Sequence, residues 1–116
     1  MIDEYQNKAC EQAYKSQYKI RVGAVVVYKN KIVGKGFNKV HSTGVPKLDG
    51  KHAELEALKN TTARYRENSM VFVCRITKCN DLAYSKPCLA CQTVMRKMGV
   101  KYVWYSTEEG WTRMVL

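Results

Sequence analysis

Residues 21–38, RVGAVVVYKNKIVGKGFN, decide the fold class of this sequence. The first eight of them, Arg21 to Tyr28, are dense in valine, which is typical of a strand buried on both faces of a sheet. The next three residues, KNK, are typical of a turn, and Ile32 to Asn38 supplies a partner strand. The stretch therefore predicts a β-hairpin that forms one part of a larger sheet.

The sequence on both sides of this hairpin predicts alternating helices and strands. Before it, apolar residues recur every four positions between polar ones, which indicates a helix over residues 3–17. After it, the pattern predicts a helix at residues 52–59, a strand at 70–76, a helix at 88–98, a strand at 101–106 and a last strand at 111–116. Residues 40–51 and 77–86 are predicted loops because they are polar or rich in glycine and proline.

The final connection limits how the last two strands can pair. Only residues 107–110 separate them, whereas a parallel return needs a crossover of about a dozen residues or more. The last strand is therefore expected to pair antiparallel with residues 101–106. A hairpin followed by alternating strands and helices predicts an α/β fold in which helices pack on a mixed sheet.

Length and composition limit the class of protein. A chain of 116 residues is the size of one domain, so a single domain over residues 1–116 is expected. The longest apolar run, residues 24–27, is far too short to span a membrane. The acidic N-terminus has no apolar signal-peptide core, which favours a cytoplasmic protein. The five cysteines are an odd number, which argues against a disulfide scaffold and favours metal binding or thiol chemistry.

Two fragments carry the residues suited to metal chemistry: HAE at residues 52–54 and PCLAC at residues 87–91. Cys88 and Cys91 are three apart and share one face at the start of a predicted helix, where the helix dipole favours thiolates. With His52 they supply three ligands for tetrahedral Zn²⁺. A catalytic zinc site uses three protein ligands and keeps the fourth position for water, so this donor set predicts an open, reactive site.

Glu54 is the expected acid/base group. It lies two residues from His52, and side chains at that spacing do not share a helix face, so it is badly placed as a fourth ligand. A carboxylate near the end of the helix could instead take a proton from zinc-bound water and pass it on. The alternative is a structural zinc site whose fourth ligand is Cys74, Cys79 or His41.

The combination of H-A-E with P-C-x-x-C resembles the signature of the zinc-dependent cytidine deaminase superfamily. The resemblance runs from about Val22 to Ser106: VGAV at residues 22–25 is similar to the family's first strand, and GKGFN at residues 34–38 is similar to its second. It implies a three-layer α/β/α fold on a mixed five-stranded sheet. The predicted terminal hairpin resembles the branch that contains free-cytidine deaminases and several toxin or organellar editing deaminases.

The resemblance also implies the roles of the motif residues. His52, Cys88 and Cys91 would hold Zn²⁺, and zinc-bound hydroxide would attack C4 of cytosine, or C6 of adenine in the adenine-specific branch. Glu54 would carry the proton to the ring nitrogen and then to the leaving amine. The backbone N–H of Ala53 would contact the base.

Further substrate contacts are expected at the end of the hairpin. The family's second strand ends on a substrate-binding asparagine, which corresponds to Asn38 here. Phe37 and His41, close to it in the chain, are additional candidates for substrate contacts. The alternatives are a turn-forming role for Asn38 and an ordinary loop position for His41.

The charge of the chain is strongly one-sided. Lys and Arg total 20 against 10 Asp and Glu, which gives a formal net charge of +10. Residues 12–48 hold eight of the cations and no acidic residue, with aromatic residues between them. This pattern suits single-stranded nucleic acid, because phosphates pair with the cations and bases stack on the rings. The alternative is a solvated lysine-rich surface.

The sequence therefore predicts a zinc-dependent hydrolytic deaminase that converts cytosine to uracil, with single-stranded DNA or RNA favoured over free nucleotide. The alternatives are a deaminase of free cytidine or deoxycytidine nucleosides or nucleotides, a tRNA-type adenosine deaminase, and a non-catalytic zinc-stapled nucleic-acid-binding module. The small size would suit a virus or phage. Tyr102, Trp104 and Trp111, near a sheet edge, would suit the interface of a homo-oligomer.

Overall fold

The computed structural model describes residues 2–17, 20–38 and 52–116. Its helices are α1 (Ile2–Tyr14), α2 (Ala53–Lys59) and α3 (Leu89–Lys97), and a 3₁₀ turn covers Ala63–Tyr65. Its strands are β1 (Arg21–Tyr28), β2 (Lys31–Phe37), β3 (Met70–Ile76), β4 (Leu82–Ala83), β5 (Tyr102–Thr107) and β6 (Gly110–Val115). Within these described ranges, no helix is long and apolar enough to cross a membrane.

The strands form a mixed sheet in the order β2-β1-β3-β5-β6, and the two-residue β4 pairs with β3 off this path. β3 and β5 run parallel, and the other pairs of the described sheet are antiparallel. The predicted hairpin and the antiparallel last pair are thus both confirmed. The predicted five-stranded sheet gains the short β4, which lies inside the stretch 77–86 expected to be a loop. Two residues are too few to show the periodicity of a strand.

Helices cover both faces of the sheet. On one face α2 and α3 pack over alternate residues of the central strands, among them Val26, Val73 and Val103. On the other face α1 packs over the residues between them, including Val25 and Phe72. The side chains of β1 are therefore buried on both faces, as the valine-rich sequence predicts, and the three-layer α/β/α arrangement is confirmed.

Helix boundaries differ from the prediction by a few residues. α1 ends at Tyr14 and not at residue 17, because the amides that follow it bond to carbonyls three residues back and tighten the last turn. α2 and α3 begin one residue later than predicted, so His52 and Cys88 are their N-cap residues.

Glycines allow α2 to lie close against β2. A Cβ atom on Gly36 would lie 2.5 Å from the backbone nitrogen of Ala57 in α2, and one on Gly34 would overlap the turn that follows this helix. A residue without a side chain is needed for such an approach. This close packing of α2 on β2 sets the position of the helix relative to the sheet, and therefore the positions of His52 and Glu54.

The aromatic residues of the last two strands contribute to the core on the α1 side. Trp104 stacks on Phe72 with ring centroids 6.0 Å apart, and Trp111 packs against the same core cluster. Arg113 lies over the rings of Tyr102 and Trp104. These contacts lie within the chain, and the homo-oligomer interface at these residues stays a prediction.

Candidate active site

The predicted metal ligands lie where two helices begin. His52 is the N-cap of α2 and Cys88 is the N-cap of α3, each with a non-helical backbone. Their carbonyl oxygens accept hydrogen bonds from the N–H groups of Glu56 and Gln92, one turn into each helix. The positive ends of two helix dipoles are thus next to the ligands, a setting that favours thiolates.

The three donor atoms lie within 4.8 Å of one another. The Nδ1 atom of His52 is 2.8 Å from the Sγ atom of Cys91, and that sulfur is 3.3 Å from the Sγ atom of Cys88. Two thiols and one imidazole are the donor set of a zinc site with three protein ligands. The residues present therefore fit Zn²⁺.

Within residues 2–17, 20–38 and 52–116, the cluster contains three His, Cys, Asp or Glu ligands and no fourth. Cys74 is buried in the α1-side core, on the opposite face of the sheet, and Cys79 is exposed in the loop before β4. His41, the remaining candidate for a fourth ligand, lies outside the described residues. The described part of the chain therefore favours an open site over a closed structural one.

The two thiols have opposite pKa shifts. Burial pushes the pKa of Cys88 upward, but hydrogen bonds from Cys91 and the charge of His52 outweigh it, so the pKa is lowered. Burial raises the pKa of Cys91, and the neighbouring Glu54 carboxylate raises it further. Cys88 is therefore the thiol that loses its proton more easily. A bound cation is needed to displace the proton of Cys91.

Glu54 points into the cluster. Its side chain is 2% exposed, and its Oε1 atom lies 3.8 Å from Nδ1 of His52. Burying a carboxylate costs free energy unless a partner compensates it, so a buried Glu54 beside three metal ligands belongs to the site. The geometry agrees with the expectation that this carboxylate lies beside the metal position, and its catalytic role stays a prediction.

Asn38 is buried after the end of β2, and its side chain bonds to the backbone around the start of β1. Its Oδ1 atom accepts a hydrogen bond from the Val22 N–H at 2.9 Å, and its Nδ2 atom donates to the Ile20 carbonyl at 2.7 Å. These bonds fit the strand-end role that the sequence leaves as an alternative. Phe37 is half-buried, and Ala53 is the buried first residue of α2. Substrate contacts by these residues and by His41 stay predictions.

A cavity of about 240 Å³ opens onto the cluster. It lies between the start of β1, the end of β3 and the starts of α2 and α3, and its lining comprises Ile20, Val22, His52, Glu54, Arg75, Tyr84, Ser85, Lys86, Pro87 and Cys88. Pockets for drug-sized ligands measure roughly 300–1,000 Å³. The smaller volume suits a ligand smaller than a drug-sized molecule, next to Glu54.

The wall formed by Arg75 and residues 84–86 could not be predicted from the motifs. Ser85 anchors it, because its hydroxyl donates to the Val73 carbonyl at 3.0 Å and lies 2.9 Å from the Oγ atom of Ser106. Ser106 in turn donates to the Ala83 carbonyl at 2.7 Å. The one signal in the sequence is adjacency, since YSK directly precedes the PCLAC fragment.

Comparison with known proteins decides the family. The family model described as the cytidine and deoxycytidylate deaminase zinc-binding region matches residues 2–107. The chain belongs to this family. The match covers α1, both motif fragments and β1 to β5, so His52, Cys88 and Cys91 are positioned as the zinc site of a zinc-binding deaminase family.

A curated protein is similar to most of this chain. The tRNA-specific adenosine deaminase 2 of Danio rerio is 34% identical over 88 residues, which cover 74% of this chain and 39% of that protein. The chain therefore spans about two fifths of that relative's length.

Solved structures of deaminases share the fold. The cytidine deaminase of Burkholderia pseudomallei superposes with a TM-score of 0.73 at 22% identity, covering 99% of this chain and 92% of that one. The dCMP deaminase of cyanophage S-TIM5 gives a TM-score of 0.62 at 25% identity, covering 89% of this chain and 79% of that one. The first of these likenesses confirms the predicted cytidine-deaminase-like fold class.

Proposed function

We propose that this protein is a zinc-dependent hydrolytic deaminase that converts cytosine to uracil in the 240 Å³ cavity. The observation that carries the proposal is the buried carboxylate of Glu54, 3.8 Å from Nδ1 of the ligand His52. A structural zinc site has no use for such a carboxylate, whereas hydrolysis of an amine needs a proton carrier beside the metal.

Each residue of the site has a defined part in this reaction. His52, Cys88 and Cys91 hold the metal, which when bound supplies Lewis-acid activation of water. Glu54 accepts a proton from the attacking water, delivers it to the ring nitrogen of cytosine and then passes a proton to the leaving amine. The backbone N–H of Ala53 orients the base. The products are the uracil base and ammonia.

Cytosine in single-stranded DNA or RNA is the proposed substrate. The net charge of +10 supports it, because a field of one sign attracts polyanions. Lys29 in the hairpin turn and Lys31, the first residue of β2 and the partner of Tyr28, lie six or seven residues along the hairpin from the cavity-lining Val22. At about 3.3 Å per residue that distance is roughly 20 Å, so these lysines could reach only phosphates several nucleotides from the base in the cavity.

Free nucleotides are the second candidate, and the small cavity favours them. A structural relative, the cyanophage S-TIM5 dCMP deaminase, has been solved in complex with dCMP and dUMP. Adenine is a second base to test, because the curated relative from Danio rerio is named a tRNA-specific adenosine deaminase.

Mass spectrometry separates these candidates. Zinc-loaded protein is incubated with deoxycytidine, dCMP, adenosine, single-stranded DNA and single-stranded RNA. We expect a carbonyl oxygen to replace the amine of cytosine, and we expect Glu54→Gln to lower the rate about 10²- to 10⁴-fold because it removes the proton carrier while keeping the volume.

Two controls make the result specific to Glu54. Zinc content is measured in Glu54→Gln to show that the metal is retained, and Glu109→Gln, at the exposed β5–β6 turn, is expected to leave the rate unchanged. Absence of product with every substrate would leave the chain as a non-catalytic zinc-stapled module.

A further inference from the structure

The rim of the cavity carries two cations that the proposed proton transfer does not use. The first is Arg75, the second-last residue of β3, which strand alternation places on the same face as Val73, the face that α2 and α3 cover. Arg75 pairs across the sheet with Val22 of β1, another cavity residue. It thus enters the cavity from the end of the sheet, just past the hydrophobic core.

The second cation is Lys86, which lines the same cavity from the segment before α3. Its neighbour Ser85 is bonded to two strands: the Ser85 N–H donates to the Ser106 carbonyl of β5 at 2.9 Å, and the hydroxyl donates to the Val73 carbonyl of β3. Because Ser85 is tied to both strands, the backbone beside Lys86 is held in place relative to Arg75.

Neither cation has an acidic partner in the part of the chain that the structure describes. Ion pairs within the described residues join Lys8 to Glu11 and His52 to Glu54, and neither Arg75 nor Lys86 takes part in them. Arg21, by contrast, has partners within the chain, since one nitrogen of its guanidinium donates to the Thr77 carbonyl and to Oδ1 of Asn80. A half-buried guanidinium without a counter-ion, beside a second cation and next to a cavity, favours an anionic ligand.

We propose that Arg75 and Lys86 form a subsite for a phosphate ester on the substrate, so that the protein acts on phosphorylated nucleosides in preference to free ones. This inference rests on the proposed deaminase function. Because both cations line the cavity that contains Glu54, we expect the anion that they bind to belong to the same substrate as the base on which Glu54 acts. Arginine offers paired N–H donors to phosphate oxygens, and lysine adds a compact charge. The phosphate belongs either to a nucleoside monophosphate or to a nucleic-acid strand, which present the same group.

Kinetics on matched substrates test the subsite. Arg75→Gln and Lys86→Gln are compared with the unaltered protein on deoxycytidine, dCMP and a single-stranded deoxycytidine oligonucleotide. Loss of a charged hydrogen bond should lower kcat/KM on a phosphorylated substrate about 10- to 100-fold, and change it less than about twofold on deoxycytidine. Lys101→Gln is the matched control, because Lys101 is exposed just before β5, at the end of the sheet away from Arg75.

The substrates identify the source of the phosphate. A fall in kcat/KM with dCMP indicates the phosphate of a monophosphate, and a fall confined to the oligonucleotide indicates a backbone phosphate; both support the subsite. An equal fall on deoxycytidine, or no fall on either phosphorylated substrate, overturns it.

Binding distinguishes failure of the subsite from failure of the proposed function. Zinc-loaded protein is titrated calorimetrically with dUMP, a deoxyuridine oligonucleotide and deoxyuridine, none of which requires turnover. Tighter binding of a phosphorylated probe that is lost in Lys86→Gln and kept in Lys101→Gln supports the subsite even if no substrate is deaminated. No preference over deoxyuridine overturns it. Lys86 is exposed, so this variant is expected to fold, and thermal unfolding verifies that it does.

Discussion

His52 and Glu54 reach the same point although a spacing of two residues separates side chains on a helix. The backbone of His52, with φ −108° and ψ 52°, lies outside the helical region, whereas Glu54 lies inside the first turn of α2. One non-helical residue therefore brings a metal ligand and a carboxylate together. The residue types are predictable from the H-A-E motif. The cap conformation is not, because it depends on where tertiary packing starts the helix.

We expect Ser106 to act as a positioning residue for the cavity wall that precedes Cys88, which is formed by Arg75 and residues 84–86. Its buried hydroxyl donates to the Ala83 carbonyl and accepts a hydrogen bond from the Arg75 N–H at 3.0 Å. Ser106→Ala leaves these buried groups unpaired, so we expect a loss of about 1–3 kcal/mol in the free energy of unfolding, measured in urea. We also expect weaker zinc binding in competition with a chelator, because the segment before Cys88 loosens.

Two comparisons separate positioning by Ser106 from a purely structural role. Ser106→Thr keeps the hydroxyl and should restore most of the zinc affinity, whereas Thr112→Ala, on the exposed part of β6, should change neither quantity. Unchanged zinc affinity in a destabilised Ser106→Ala protein would contradict the positioning role.

The elements of the fold differ in how far sequence alone determines them. The observed bounds of β1 and β3, Arg21–Tyr28 and Met70–Ile76, are those predicted, because central strands buried on both faces carry nearly continuous apolar runs. β4 has only two residues and pairs with β3, so no local sequence pattern indicates that it is a strand. The distance between α2 and β2 is likewise set by tertiary contacts, at Gly34 and Gly36. No local sequence pattern indicates that a helix packs against these two glycines.

Substitution at Gly36 should move the helix that carries half of the site. A Cβ atom at this position would lie 2.5 Å from the Ala57 nitrogen and 2.9 Å from the Glu56 carbonyl carbon, and neither backbone atom can yield without shifting α2. We expect Gly36→Ala to cost about 1–3 kcal/mol of stability by overpacking and to weaken zinc binding through displacement of His52. Thermal unfolding and chelator competition measure the two effects.

Lys35→Ala provides the matched control for this prediction, because Lys35 is the exposed neighbour of Gly36 on the same strand. It should leave both stability and zinc affinity close to those of the unaltered protein. A Gly36→Ala protein with normal stability would show that α2 is not held by this contact.

For the molecule as a whole, the fold and the set of metal ligands are predictable from the sequence. The cavity wall formed by Arg75 and residues 84–86 is not. His52, Cys88 and Cys91 belong to short local motifs whose residue types leave few chemical alternatives. Arg75 and Lys86 come together through the pairing of β3 with β4 and β5, which no periodicity encodes. Counting the cations of residues 12–48 likewise gives their number and not their distance from the cavity.

Zinc should stabilise the whole molecule, because its ligands come from two helices on either side of β3 in the chain. At zinc concentrations about 100- to 1,000-fold above Kd, binding to the folded state alone adds roughly 3–4 kcal/mol to the free energy of unfolding.

Burial raises the pKa of Cys91, so in the metal-free protein this thiol is protonated at neutral pH and zinc must displace the proton. The rise in unfolding temperature on zinc addition should therefore be larger at about pH 8 than at about pH 6, with proton release detectable in weak buffer. Mg²⁺, which prefers oxygen ligands, should have no effect, and equal stabilisation by zinc at both pH values would contradict ligation by these thiols.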